Sequence, residues 1–262
     1  MLESSMFEIF GIQIHLYGIT AALGIYAGFS VASWVAQKSK IDVDIIWDSL
    51  VWLLVSGLIG ARAYHVIDLW SYYSQYPQDI IAVWKGGLGI FGAIFAGSLG
   101  LWLYTRYKKI TTTETLKLAD IAAISLPLGQ AIGRWGNYFN QELYGSPSTL
   151  PWALYIRPEN RLAGFENFER FQPLFLYESL LNFVLCGVLL WLFKSRRIPL
   201  GKLKFVAVYM IGYSLIRFFL EFVRLEKWQI GSIPTAQLIS VLLFISGIYF
   251  LTSFNYEKFS KK

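Results

Sequence analysis

The sequence predicts an all-α, polytopic membrane protein with about seven transmembrane helices, and two observations lead to this fold class. First, 55% of the 262 residues are hydrophobic, only 15% are charged and the mean hydropathy is +0.48, whereas a soluble domain usually has about 25% charged residues. Second, apolar stretches that are each about 20 residues long recur along the whole chain. This is the length of a helix that crosses a bilayer. These stretches are continuously apolar rather than alternating, so they favour helices over the strands of a barrel.

The apolar stretches predict seven spans. The sequence shows no internal repeat and no soluble insertion. We therefore expect a single integral-membrane domain over residues 1–262. The longest connection, residues 140–172, is rich in aromatic and charged residues. The predicted spans are 13–36, 45–67, 86–105, 117–138, 173–193, 203–224 and 234–254.

The basic residues predict how the chain is oriented. Alternate connections, together with Lys258, Lys261 and Lys262 at the C-terminus, hold 14 of the 23 Lys and Arg residues, and the opposite connections hold five, among them Lys85. Positively charged loops remain in the cytoplasm, which places the N-terminus outside and the C-terminus in the cytoplasm. The same asymmetry accounts for the net charge of +6 without a nucleic-acid partner.

The fourth span ends in a polar stretch, "GQAIGRWGNYFNQELYG" (129–145). An ionisable group within a span costs about 2.5–3.5 kcal/mol on insertion scales and usually faces a polar interior. Spacings of four, three and four residues place one set of polar side chains on a single helical face near the outer end, and Asn140 and Glu142 follow at the interface. This first stripe consists of Gln130, Arg134, Asn137 and Gln141.

The sixth span carries a second stripe, "YSLIRFFLEFVRLE", in which Tyr213, Arg217, Glu221 and Arg224 share one face. An Arg217–Glu221 pair that only stabilises the helix is the simpler interpretation. Two stripes at the same depth favour a polar cavity instead. Because guanidinium groups bind phosphate through paired hydrogen bonds, they predict a phospholipid head-group site that opens to the outer leaflet.

Other polar residues in the spans leave their roles open. Glu178 and Asn182 share a face of the fifth span, where either a structural hydrogen-bonding role or a catalytic role fits. His15 and His65 are interpreted first as interfacial anchors, and the lone Cys186 as a small core hydrophobe. The residues offer no metal-ligating pattern and no phosphate-binding loop of the Walker type, so we expect neither a metal nor a cofactor.

The polar stretch resembles the signature of the prolipoprotein diacylglyceryl transferases of bacterial membranes, G-R-x-G-N-[FY]-x-N-x-E-x-x-G. Further resemblances follow in order along almost the whole chain: "LYG" (16–18), "GARAYHV" (60–66), "GGLGIFGA" (86–93), "QPLFLYESL" (172–180), "YSLIRFFLEFVR" (213–224) and "TAQLIS" (235–240). The matching residues of the signature are Gly133, Arg134, Gly136, Asn137, Tyr138, Asn140, Glu142 and Gly145.

The resemblance implies an enzyme that transfers the diacylglyceryl group of phosphatidylglycerol to the lipobox cysteine of a preprolipoprotein. It forms a thioether and releases glycerol phosphate, on the extracytoplasmic side of the bacterial cytoplasmic membrane. The implied partners are this lipid, the signal peptides that contain the lipobox, and the bilayer. The implied phosphate ligands are Arg134 and Arg217, the head-group ligands are Asn137, Asn140 and Tyr17, and Glu142 and Glu221 orient the arginines or a substrate hydroxyl.

The chain departs from the family pattern at Phe91, where many members have a histidine that is a favoured general base. Either Glu142 or His65 supplies the base, or the arginine-rich site favours the thiolate and needs no dedicated base. A relative that has lost activity or changed its substrate is a further alternative.

A transporter or channel is the alternative outside enzymes, because intramembrane arginines and glutamates also mark ion and substrate pathways. The position of both stripes toward one membrane face, and the lack of an internal repeat, argue against it.

Overall fold

The computed structural model describes residues 6–9, 12–83 and 86–253, so Lys85, Lys258, Lys261 and Lys262, which contribute to the orientation argument, lie outside the described residues. The chain is an all-α, polytopic membrane protein, as predicted. Its helices in the described ranges are α1 (Leu16–Lys38), α2 (Val43–Asp68), α3 (Trp70–Tyr73), α4 (Ile90–Tyr107), α5 (Thr112–Gly133), α6 (Trp135–Asn140), α7 (Leu174–Lys194), α8 (Lys204–Val223) and α9 (Thr235–Ser253).

Each predicted span coincides with a helix, the fourth with α5 and α6 together. Within the described residues, six helical segments are long and apolar enough to cross a membrane. Among the helices that match a predicted span, the one outside this set is α4, which has 18 residues. The count of seven spans and the outward N-terminus therefore stay predictions.

Short antiparallel hairpins lie between or beside the helices. They pair β1 (Met6–Ile9) with β2 (Ile12–His15), β3 (Leu154–Tyr155) with β4 (Arg170–Phe171), and β5 (Gln229–Ile230) with β6 (Ile233–Pro234). The middle hairpin belongs to the long connection between α6 and α7, so this connection has a fold of its own.

The chain divides into two compact units. The larger unit comprises Met1–Ala32 and Leu116–Lys262, and the smaller unit comprises Ser33–Thr115. A single domain over residues 1–262 stays a prediction.

The smaller unit is built on close packing of α2 against α4. A Cβ at Gly60 would collide with the carbonyl oxygen of Gly92, and one at Gly92 with that of Gly60. A Cβ at Gly97 would lie 3.0 Å from Leu53, and one at Gly100 would collide with Ser56. The glycines of the third predicted span thus allow tight helix packing.

Glycines also allow close packing in the larger unit. A Cβ at Gly24 of α1 would lie 2.8 Å from the carbonyl oxygen of Gly129 in α5. A Cβ at Gly247 of α9 would lie 3.1 Å from the carbonyl oxygen of Ala207 in α8. Backbone atoms cannot move aside as a flexible side chain can, so these positions fix the approach of α1 to α5 and of α9 to α8.

A buried carboxylate connects α5 to the start of α8. Asp120 is 0% exposed, and its two oxygens accept hydrogen bonds from four backbone N–H groups. Oδ2 accepts from Gly201 at 2.8 Å and Lys202 at 3.2 Å, and Oδ1 accepts from Phe205 at 3.1 Å and Val206 at 3.2 Å. The first N–H groups of a helix have no partner within the helix and favour a negative charge. Asp120 therefore caps α8 from a different helix.

We predict that Asp120→Asn lowers the apparent melting temperature of the purified protein by roughly 5–10 °C. Asparagine replaces one acceptor oxygen with an N–H₂ group that faces backbone donors, which removes about 3 kcal/mol of charge-assisted hydrogen bonding. The measurement is thermal unfolding in detergent, followed by intrinsic fluorescence.

The matched control is Asp48→Asn, because Asp48 forms an ion pair with Lys108 at 2.8 Å while both side chains are more than two-fifths exposed. Exposed pairs contribute little, so the control should shift the melting temperature by about 2 °C at most. Equal shifts for the two variants would contradict the capping role.

Candidate active site

The candidate site is centred on Glu178, a carboxylate in the second turn of α7. Its side chain is only 4% exposed, and Oε1 lies 2.6 Å from Nη2 of Arg134, between α5 and α6. The second oxygen, Oε2, lies 3.8 Å from Nη1 of Arg217 in α8. Arg217 also donates through Nη2 to Glu221, one turn later, at 3.1 Å. One buried carboxylate thus connects the two predicted stripes.

The network continues from Arg134 to the end of α6. Arg134 Nη1 donates to Asn137 Oδ1 at 3.3 Å, and Asn137 Nδ2 donates to Glu142 Oε1 at 2.9 Å. Asn140 Nδ2 also approaches this oxygen, at 3.5 Å. We call the connected set Glu142, Asn137, Arg134, Glu178, Arg217 and Glu221 the charged network.

A helix C-cap explains why Glu142 returns to the network. Gln141 adopts the left-handed conformation, with φ 52° and ψ 46°, and the Glu142 N–H donates to the carbonyl oxygen of Asn137 at 3.1 Å. This six-to-one bond is that of a Schellman motif. The left-handed conformation costs a residue with a Cβ roughly 1–2 kcal/mol, and the polar contacts of the turn offset that cost.

The prediction that Gln141 extends the first stripe is wrong, because α6 ends at Asn140. The side chain of Gln141 instead contacts the connection between α6 and α7: its Oε1 accepts from the backbone N–H of Arg157 at 2.9 Å, and its Nε2 donates to the carbonyl oxygen of Tyr155 at 3.3 Å. Gln141 therefore anchors this connection next to the network.

The connection between α6 and α7 packs around Tyr144, which forms a small core with Ile156 and Phe171. The Tyr144 hydroxyl donates to the carbonyl oxygen of Asn160 at 2.9 Å and accepts from the N–H of Leu162 at 2.8 Å. Burial raises the pKa of this phenol, which keeps it protonated as a donor.

The same connection is attached to the end of α8. Gly145 and Arg224 pair as an isolated antiparallel bridge, and the Ser146 N–H donates to the carbonyl oxygen of Val223 at 2.9 Å. A Cβ at Gly145 would lie 2.8 Å from the side chain of Val223. The glycine of the sequence signature thus lets the connection contact α8.

Arg224 adds a third guanidinium group beside the network. It interacts electrostatically with Arg217, Glu221, Arg134 and Glu178. Its Nε is buried and has no hydrogen-bond partner among the described residues. Such a donor is suited to an anionic ligand.

Tyr17, a predicted head-group ligand, lies at the start of α1 against Gly136. A Cβ at Gly136 would lie 2.6 Å from Cδ2 of Tyr17 and 3.0 Å from Oγ1 of Thr20. The phenol is 43% exposed. The structure therefore places Tyr17 beside the residue that precedes Asn137.

Arg62 and His65 belong to the smaller unit, where they hold the segment before α4. Arg62 donates to the carbonyl oxygens of Asp79, Ile80, Gly86 and Gly87 at 2.5–3.0 Å. His65 stacks edge-on with Tyr73 at 5.9 Å, and a Cβ at Gly87, where φ is 74°, would collide with its imidazole ring. The role of His65 as a base stays a prediction.

Phe91 also belongs to the smaller unit. Its ring is 54% exposed and lies 6.1 Å from that of Tyr64. The described residues contain no group of three or more His, Cys, Asp or Glu that could hold a metal ion.

Sequence reasoning marked Glu178 but did not assign it to the site. A carboxylate one turn into an apolar span was visible, whereas the identity of its partners depends on how α5, α7 and α8 pack. Asp120 gave a similar signal in "LADIAAIS" and was not singled out. Arg224 was placed on the second stripe but not among the site residues.

Comparison with known proteins identifies the family. The model of the family described as prolipoprotein diacylglyceryl transferase matches residues 4–253. The chain belongs to this family. It is 39% identical over 247 residues to the phosphatidylglycerol–prolipoprotein diacylglyceryl transferase of Synechococcus elongatus, covering 93% of this chain and 84% of that protein.

Other family members show the same similarity. The chain is 39% identical over 247 residues to the proteins of the same name from Fervidobacterium nodosum and Finegoldia magna. These matches cover 94% of this chain in both cases, and 83% and 94% of the respective relatives. The chain therefore spans nearly the full length of these transferase family members.

We predict that Glu178→Gln lowers the apparent melting temperature of this family member by roughly 5–10 °C. Glutamine has the same shape, but it leaves two largely buried guanidinium groups without their shared counter-charge, which costs roughly 3 kcal/mol. Thermal unfolding in detergent is the measurement.

Glu159→Gln is the control, because Glu159 is 63% exposed and lies 3.6 Å from Arg157. This variant should melt within about 2 °C of the parent protein. If Glu178→Gln were as stable as the control, the central position of Glu178 in the network would be refuted.

Proposed function

We propose that this chain transfers the diacylglyceryl group from phosphatidylglycerol to the thiol of a lipobox cysteine in a preprolipoprotein. The observation that carries the proposal is the arrangement of Arg134 and Arg217 around the buried Glu178, which joins the family signature to α8. The names of the relatives supply the two substrates.

The hydrogen-bond donors of the arginines support binding of a phosphodiester at this arrangement. Arg134, Arg217 and Arg224 contribute three positive charges, which Glu178, Glu221 and Glu142 balance. The Nε of Arg224 has no hydrogen-bond partner among the described residues, and guanidinium groups fit phosphate oxygens in pairs.

The other residues of the site serve the two arginines and the head group. Glu178 and Glu221 orient Arg134 and Arg217. Asn137 and Asn140 donate hydrogen bonds to the head group, and Glu142 fixes the amide of Asn137. Tyr17 forms a further contact with the lipid beside Gly136.

The reaction is a displacement at a saturated carbon. The thiol loses its proton, and the thiolate sulfur attacks the glycerol carbon of the diacylglyceryl group that carries the phosphate. A C–S bond forms while the C–O bond to phosphate breaks, and its electron pair leaves on the oxygen of glycerol phosphate. The arginines stabilise the charge that develops on this leaving group, a term that is commonly worth 10²–10³-fold in rate for a single donor.

The mechanism also requires an acceptor for the thiol proton. Phe91 cannot accept a proton, so we assign the role to Glu142 or His65, or to no single residue if the positive site lowers the pKa of the incoming thiol. The competing proposal is that this chain has lost the transferase activity. The observation that favours it is that phenylalanine stands at residue 91, where many family members have a histidine.

We also propose the membrane topology and location. Seven spans with the N-terminus outside place both stripes toward the extracytoplasmic face of the bacterial cytoplasmic membrane. The asymmetry of the basic residues supports this orientation.

The direct test is to incubate the purified protein with phosphatidylglycerol and a lipobox peptide, and to measure thioether formation and glycerol phosphate release. A peptide with serine in place of the cysteine is the control. Release that requires the thiol supports the transferase. Lipid binding without release supports the inactive relative.

We predict that Arg217→Lys reduces kcat/KM in this assay by roughly 100-fold. Lysine keeps the positive charge but cannot form the paired hydrogen bonds of a guanidinium group. Arg106→Lys, at the exposed end of α4, is the control and should retain the parental rate. Full activity of Arg217→Lys would exclude the bidentate phosphate clamp.

We predict that Phe91→His is tolerated or activating, since histidine restores the residue that many family members have at this position. The measurement is the same transfer rate over a range of pH. If the parent protein were active and Phe91→His inactive, the pocket around residue 91 would be adapted to phenylalanine.

A further inference from the structure

A set of neutral polar side chains lies one to two turns inward from the charged network. Gln130 precedes Arg134 by four residues, Asn182 follows Glu178 by four, and Tyr213 precedes Arg217 by four. α5 and α8 reach the network near their C-terminal ends, and α7 reaches it near its N-terminal end. These neutral residues therefore lie on the same side of the network. We call Gln130, Asn182, Tyr209 and Tyr213 the inner polar cluster.

One hydrogen bond and two electrostatic interactions connect the cluster to the network. Gln130 Nε2 donates to the Tyr209 hydroxyl at 2.9 Å, and the Tyr209 and Tyr213 rings stack at 5.7 Å with an angle of 13°. Both tyrosines interact electrostatically with Glu178. Asn182 Nδ2 donates to the carbonyl oxygen of Glu178 at 2.8 Å.

Two amide oxygens of the cluster are unpaired. Gln130 Oε1 and Asn182 Oδ1 are buried and have no hydrogen-bond partner in the described part of the chain. Asn182 is 0% exposed, and its N–H₂ group must face the carbonyl oxygen of Glu178, which fixes the amide orientation. For Gln130, either orientation toward Tyr209 leaves one end unpaired. Buried polar groups in folded proteins nearly always have partners.

We infer that Gln130 and Asn182 accept hydrogen bonds from the hydroxyl groups of the lipid head group and so select a glycerol head. This inference rests on the proposed function, which places the phosphate at Arg134 and Arg217, one turn away. The head group of phosphatidylglycerol has two free hydroxyls, and the cluster has two unpaired acceptors.

These hydrogen bonds would let the site distinguish a glycerol head group from other head groups, which the arginines cannot do. Every phosphodiester lipid offers the same phosphate to a guanidinium group. A site built to bind a hydroxyl rejects an analogue without it, because its own buried polar groups then remain unpaired. Gln130 and Asn182 would thus set specificity, while Arg134 and Arg217 bind the phosphate.

The test compares phosphatidylglycerol with phosphatidylpropanol, which has the same phosphate and a head group of similar size without hydroxyls. The full-length protein is placed in nanodiscs that contain both lipids in equal amounts, and the lipid that stays bound after transfer to detergent is counted by mass spectrometry. Transfer to a lipobox peptide is measured in parallel for each lipid.

We expect the parent protein to retain phosphatidylglycerol at least about 10-fold over phosphatidylpropanol. Gln130→Met and Asn182→Leu should each reduce this preference by about 10-fold, with binding of phosphatidylpropanol unchanged. Ser240→Ala is the control, since Ser240 is buried in α9 and its hydroxyl donates to the carbonyl oxygen of Ala236 at 2.7 Å. It should leave the preference unchanged.

Two results would overturn the inference. One is that the parent protein shows no preference between the two lipids, a measurement that does not depend on any variant. The other is that the variants lose both lipids equally, because an equal loss indicates a structural role. If either variant fails to fold, Gln130→Glu, which keeps an acceptor, should retain the preference. A preference for phosphatidylglycerol without thioether formation would contradict the proposed function alone. Equal transfer of the diacylglyceryl group from both lipids would contradict only the head-group inference.

Discussion

The position of one carboxylate, Glu178, determines how the rest of the site is arranged. Two arginines from different helices require a counter-charge wherever they are removed from water, because the desolvation of an unpaired charge costs several kcal/mol. Glu178 supplies it at 2.6 Å from Arg134 and 3.8 Å from Arg217. Three helices are thereby brought to the same depth, and the family signature becomes part of a network rather than a local motif.

Two further devices hold the helices that carry this network. At one end of α8, Asp120 accepts four backbone hydrogen bonds and connects α5 to the helix start. At the other end, the connection after α6 bonds to Val223 and pairs with Arg224. With both ends of α8 held, Arg217 has a defined position relative to Arg134. The glycines of the signature matter for the same reason, since Gly145 and Gly136 leave room only for a hydrogen atom.

The helices and the polar stripes were predictable from sequence, because hydropathy and the helical period are local properties. All seven predicted spans coincide with helices, with ends that differ by a few residues. The prediction for Gln141 failed at a C-cap, where the left-handed conformation of one residue ends the periodicity. Glu178 and Asp120 were visible as carboxylates in apolar runs, but their partners lie 39 residues or more away in sequence. Only the packing of the helices identifies those partners.

For the same reason, the sequence does not distinguish the roles of the arginines, because these roles depend on the partners that each arginine contacts in the folded chain. Arg62 is buried, and its guanidinium donates to four backbone carbonyl oxygens of the segment before α4, which uses four of its five N–H donors. Arg134 and Arg217 instead contact carboxylates and one amide, and these contacts use only part of their five N–H donors each. A carboxylate partner neutralises charge and orients the fork, yet leaves the remaining donors for an anion. What distinguishes an arginine that builds the fold from one that we propose to bind a phosphate is therefore the kind of acceptor it meets in the folded chain.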